Sequence, residues 1–133
     1  MKLQHAAAIY FVAQAIAGMV WWIAISRDLT VAEMFFPVAY ANHDMTTFRL
    51  ADLTWFVGGS GLAGILIWKQ SRLAYPVAWM VVGAVGYATF CTFGLLLNGG
   101  RLLAIGVMVV SLIGTFIFAT QAHTMKHASP PSP

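Results

Sequence analysis

A carboxylate, Asp52, stands in the run from Phe48 to Trp68, which is otherwise suited to lipid. An ionisable side chain near a bilayer centre costs roughly 2.5–3.5 kcal/mol on insertion scales, so such groups face a bundle interior and mark functional sites. Arg49 lies three residues before Asp52 and Trp55 three after it, a spacing that puts all three on one helix face. If the neighbouring helices run antiparallel, residues at a similar depth are Trp21 and Trp22, Cys91 and Thr92, and the Ile105–Met108 region. His43 and Asp44 fall just above the mouth. These residues predict a pocket with a carboxylate floor, an aromatic wall and an Arg/His rim, with Arg49, Asp52, Trp55, Trp22 and Thr92 as ligand-binding candidates.

Three roles compete for this group. Asp52 could pair with Arg49 or Arg101 and set helix register, because a buried ion pair specifies arrangement more than it adds stability. It could, with the tryptophans, hold a cationic or amphiphilic ligand such as a lipid headgroup, a quinone or a sterol-like molecule. It could also exchange a proton with His43, Asp44 or Glu33 at the membrane surface, which makes these four the catalytic candidates.

Other polar residues carry less. His123 and His127 are four apart, a spacing that can place two imidazoles on one metal, and His5 would share their membrane face. The plainer reading is polar residues ending a span, so neither a metal nor a cofactor is expected. Gln14, mid-span, is expected to make an interhelical hydrogen bond worth under ~1–2 kcal/mol, in the half of the membrane away from Asp52. The Gly58-Gly59-Ser60-Gly61 run has no strand before it and no lysine after it, which excludes a phosphate loop.

The elements that must position these groups follow from composition. Of 133 residues, 60% are hydrophobic and 8% charged, against roughly 25% charged in a soluble domain. A chain this short cannot hide so much apolar surface from water, so the bilayer is its solvent. The net charge of +3 is scattered at span ends and does not point to nucleic acid. Cys91 is the one cysteine, so an intrachain disulfide is excluded.

Four apolar stretches approach the ~20 residues that a spanning helix needs: about Ala6 to Ser26, Thr47 to Trp68, Leu73 to Asn98, and Arg101 to Thr120. Short connections make the later ones antiparallel neighbours. The expected fold is all-α, a single antiparallel up-down bundle of four transmembrane helices over 1–128, with a disordered Pro/Ser tail at 129–133. The first span reads as one that stays and not as a removed signal. Lys2, Lys69, Arg72 and Lys126 on one side oppose Arg27, Arg49 and Arg101 on the other, which favours cytoplasmic termini. Between the first two spans, Thr30 and Glu33 fit a capping box, and Met34-Phe35-Phe36 adds apolar bulk before Pro37. This predicts a short interfacial helix over the bundle mouth. Small residues should mark the helix interfaces: Ser60 with Gly64, then Gly83, Ala84, Gly86, Ala88 and Gly94, then Gly106, Ser111 and Gly114.

Trp21-Trp22 closing the first span, Phe35-Phe36-Pro37 in the loop, and Leu50-Ala51-Asp52-Leu53 followed by Gly59-Ser60 resemble small uncharacterised four-span bacterial integral membrane proteins. The likeness covers the first half of the chain. It implies a bacterial inner-membrane setting and carries no activity with it. The functional expectation is a non-enzymatic role, as an accessory or assembly subunit or a binder of a lipid-type ligand. The alternative is a membrane-embedded enzyme using acid–base chemistry at Asp52 on an apolar or lipid substrate. Expected partners are membrane lipids, with other membrane-protein subunits or further copies of the chain.

Overall fold

A computed structural model describes residues 2–36, 45–97 and 102–124. His43, Asp44, Arg101, His127 and the tail at 129–133 lie outside the described residues. Helix α1 covers Lys2–Arg27 and α2 covers Leu29–Glu33. The second span starts as α3, Met45–Ala51, passes through a π-helical segment at Asp52–Gly58, and ends as α4, Gly59–Trp68. Helices α5, Ala74–Leu97, and α6, Leu102–Thr124, complete the described elements. Four stretches are long and apolar enough to cross a membrane: Leu3–Arg27, Phe48–Trp68, Ala74–Leu95 and Leu102–Ala122. They form an all-α bundle in which α1 packs on α4 and α6, while α5 packs on α4 and α6.

Each span buries a stripe that recurs every three or four residues. On α1 the stripe is Ala7, Ala8, Phe11, Gln14, Gly18, Trp22 and Ile25; on α5 it is Ala74, Ala78, Val81, Val85 and Thr89. The opposite faces are equally apolar, as lipid demands, and Ile16, Phe90 and Ile113 stand exposed there.

Packing is uneven along the bundle. The tight core of Ala7, Ala8, Phe11, Ala63, Ile67, Ala74, Ala78, Val81, Val85, Ala119 and Ala122 occupies the end shared by the start of α1 and the α4–α5 turn. Small side chains bring backbones close here, which is how helices associate without a hydrophobic drive. Gly64 is the tightest point between α1 and α4. A Cβ on it would meet Val12 Cγ2 at 2.7 Å, the Ala8 carbonyl oxygen at 3.0 Å and the Val12 nitrogen at 3.1 Å. Two of these atoms are backbone and cannot swing aside. Ser60, also buried, lies one turn away on the same face.

Several small residues expected at interfaces are not there. A Cβ on Gly83, Gly94 or Gly106 would meet nothing within 4 Å. Hydropathy cannot tell a small residue facing a neighbour from one facing an open space, and here it misplaced three.

The α1–α2 corner also differs from expectation. The N-cap is Asp28 and not Thr30: Asp28 has extended backbone, and the Thr30 N–H donates to its Oδ1 at 2.8 Å. That bond to the Thr30 backbone holds the Asp28 carboxyl below the usual carboxylate range. Helix α2 then folds back so that Phe35 meets Trp21, ring centroids 3.9 Å apart. At the far end, His5 packs edge-on against Trp68 at 5.2 Å.

The two kinds of glycine predict opposite outcomes. Gly64→Ala should lower bundle stability by about 1–3 kcal/mol through overpacking. Gly83→Ala should leave it unchanged within ~0.5 kcal/mol or raise it slightly. Reversible unfolding in mixed micelles measures both, and equal effects would contradict this packing.

Candidate functional site

Toward the α1–α2 corner the core gives way to a cavity of about 1010 Å³ between the four spans. Its α1 wall runs from Tyr10 to Trp22, roughly 18 Å at ~1.5 Å rise per residue. The α5 wall is built from small residues, Gly83, Ala84 and Ala88, with Tyr87, Cys91 and Thr92 beside them. Phe35 and Phe36, carried by the turn after α2, line the cavity at the Asp52 end. The space exists because α5 presents little side-chain bulk and no helix closes on Gly83.

Asp52 is half-buried on this wall. It opens the π-helical segment, whose wider turns recur at functional sites. Within that segment Thr54 Oγ1 donates to the Leu50 carbonyl at 2.8 Å, and Phe56 and Val57 reach over Gly18 of α1. A Cβ on Gly18 would meet Phe56 Cε1 at 2.7 Å and Val57 Cγ2 at 2.8 Å. That contact anchors the distorted turn to α1 beside the cavity. The indole N–H of Trp22, itself 4% exposed, donates a hydrogen bond to the Asp52 carboxylate. A neutral donor thus steadies the acid.

The structure gathers four of the five expected binding residues, Asp52, Trp55, Trp22 and Thr92, around one cavity. Trp55 is 56% exposed there, leaving most of its ring open to a ligand or to lipid. Arg49 is the exception. Its Nη1 donates to Ser26 Oγ at 3.2 Å, tying the second span to the end of α1, and it does not line the cavity. Of the two cations expected as alternative partners of Asp52, Arg49 does not pair with it and Arg101 lies outside the described residues; among the described residues no cation pairs with Asp52. Glu33 is exposed at the end of α2 and does not line the cavity either.

Gln14, expected in the half of the membrane away from Asp52, lines the same cavity about eight residues along α1 from Trp22, some 12 Å by helical rise. Its Oε1 accepts from Thr115 Oγ1 at 3.0 Å, which is the expected interhelical bond. Tyr10 joins them, donating to the Ser111 carbonyl at 3.1 Å and stacking on Phe118 at 4.4 Å. Gln14 Nε2 is buried with no partner among the described residues. Tyr10, Gln14 and Ser111 of this polar cluster line the cavity at the end away from Trp22 and Asp52.

The π-helical turn and the polar cluster were both missed from sequence. Gly58-Gly59 was the only local hint of a break in regular helix. The Tyr10–Ser111–Thr115 contacts span about a hundred positions of chain, and nothing local announces them. Of the histidines, His5 sits against Trp68 and His123 lies in the last turn of α6. Among the described residues no three His, Cys, Asp or Glu side chains come together.

Cys91, the chain's one cysteine, reports on the cavity directly. N-ethylmaleimide should modify it in the folded protein. Ala88→Trp, which fills the space beside it, should slow that reaction on the order of ten-fold, since thiol reactivity follows access. An unchanged rate would place Cys91 outside the cavity.

No protein-family model, curated protein or solved structure matches this chain.

Proposed function

We propose that this protein is a multi-pass integral protein of a bacterial inner membrane, with cytoplasmic termini, that binds an amphiphilic, lipid-type molecule inside its bundle. The role is non-enzymatic. The observation that carries the reading is the cavity of about 1010 Å³, lined mainly by apolar and aromatic side chains with a few polar groups at defined places. Ligand sites have that composition, and this volume stands at the upper end of their usual ~300–1,000 Å³ range. Trp22 and Asp52 would receive the polar head, and the small-residue wall of α5 would receive the apolar body.

A second reading is favoured by one observation. Asp52 has no cation partner among the described residues, so its carboxylate is open to a bound molecule. A carboxylate so placed could act as acid or base on an apolar or lipid substrate. Glu33 gives it no help, since it does not line the cavity.

Native mass spectrometry of the protein released gently from membranes tests the first reading. A lipid-like adduct should accompany the wild type and be lost from Ala84→Trp, in which the cavity is filled. Adduct-free wild type, or equal adducts on both, would refute it. Chemical change of the adduct on incubation, abolished by Asp52→Asn, would favour the enzymatic reading instead.

A further inference from the structure

We propose that the molecule taken by this cavity carries an ammonium head, seated against Asp52 and the aromatic rings around it. The inference rests on the binding reading above and names the chemistry of the head. Charge is the first argument. No lysine, arginine or histidine lines the cavity among the described residues, and Asp52 is its one carboxylate. An anionic head would be repelled there. A neutral head would leave the acid in a low-dielectric space with only the Trp22 indole for company. A cation neutralises it.

The surroundings are the second argument. Trp21, Trp22, Phe35, Phe36 and Trp55 line the same end of the cavity as Asp52. The Trp21–Phe35 contact brings the α1 and α2 sides together, so rings reach this end from three parts of the chain. Aromatic faces attract cations, and alkylammonium heads are recognised in this way because they cannot be held by many hydrogen bonds. Arg49 would oppose a cation, but its guanidinium is turned to Ser26 and kept out of the cavity. The small-residue wall at Gly83, Ala84 and Ala88 leaves room for the chain that such a head would carry.

Full-length protein in neutral detergent, followed by tryptophan fluorescence, is titrated with three probes sharing one tail: octyltrimethylammonium, octanol and octyl sulfate. The ammonium probe should bind roughly ten-fold tighter than the other two, the order expected for a desolvated cation–π and charge contact. Asp52→Asn should erase that preference by lowering affinity for the ammonium probe roughly ten-fold. Asp52→Glu, which keeps the charge, should retain part of it and guards against a folding artefact. Equal affinities for all three heads in the wild type would overturn the inference and leave the binding reading standing. A preference that survives in Asp52→Asn would overturn it too. Binding of none of the probes would sink the binding reading and this inference together.

Discussion

The arrangement depends on a close backbone contact at one end of the bundle. Gly64 of α4 meets the Ala8 carbonyl and the Val12 nitrogen of α1 with no room for a side chain. Alanines at 7, 8, 63, 74, 78, 119 and 122 extend the same economy of bulk across the other helices. In lipid, such packing is what holds helices together, because hiding apolar surface brings no gain there. Beyond it the helices are joined by separate contacts, Val57 and Phe56 on Gly18, Arg49 on Ser26 and Thr115 on Gln14. In that half Phe56 packs closely over Gly18 and Phe35 meets Trp21, and the cavity lies beside these contacts.

A carboxylate in that space needs a reason to persist. One of the three roles expected for Asp52 was an ion pair with Arg49 or Arg101 that sets helix register. The observed solution is a hydrogen bond from the Trp22 indole, while Arg49 bonds Ser26 at the helix ends. The two polar devices therefore have different work. Arg49–Ser26 joins the first two spans at their connection. Asp52 remains available to whatever enters. The polar cluster at Gln14, Thr115 and Tyr10 differs again, because its groups bond mainly to one another across α1 and α6.

How far the sequence could be read follows from which signals are local. The four spans were legible because composition alone decides what can lie in lipid. Asp52 was legible because a charge in such a run stands out. Trp22 and Thr92 were placed near it by counting rise along antiparallel helices, which works when turns are short. Arg49 was misplaced because the same count assumed a regular α-helix and said nothing of the choice between Asp52 and Ser26 as partner. A π-helical turn from Asp52 begins three residues later. The cap at Asp28 was misread as Thr30 because Thr30 and Glu33 satisfy a motif, while two-residue reach of a carboxylate satisfies the backbone sooner. Gly83, Gly94 and Gly106 were read as contacts because a membrane helix is apolar on every face, and no periodic signal separates neighbour from void.

The central claim is that the bundle stays open around Asp52 while it is clamped shut at Gly64. A high-resolution map of the protein in a lipid nanodisc measures this most directly. The arrangement described here predicts that Asp52 faces a space holding elongated density between α1 and α5, with Arg49 turned away toward Ser26. Helices closed over a dry Asp52–arginine contact, with no room left beside Gly83, would contradict it.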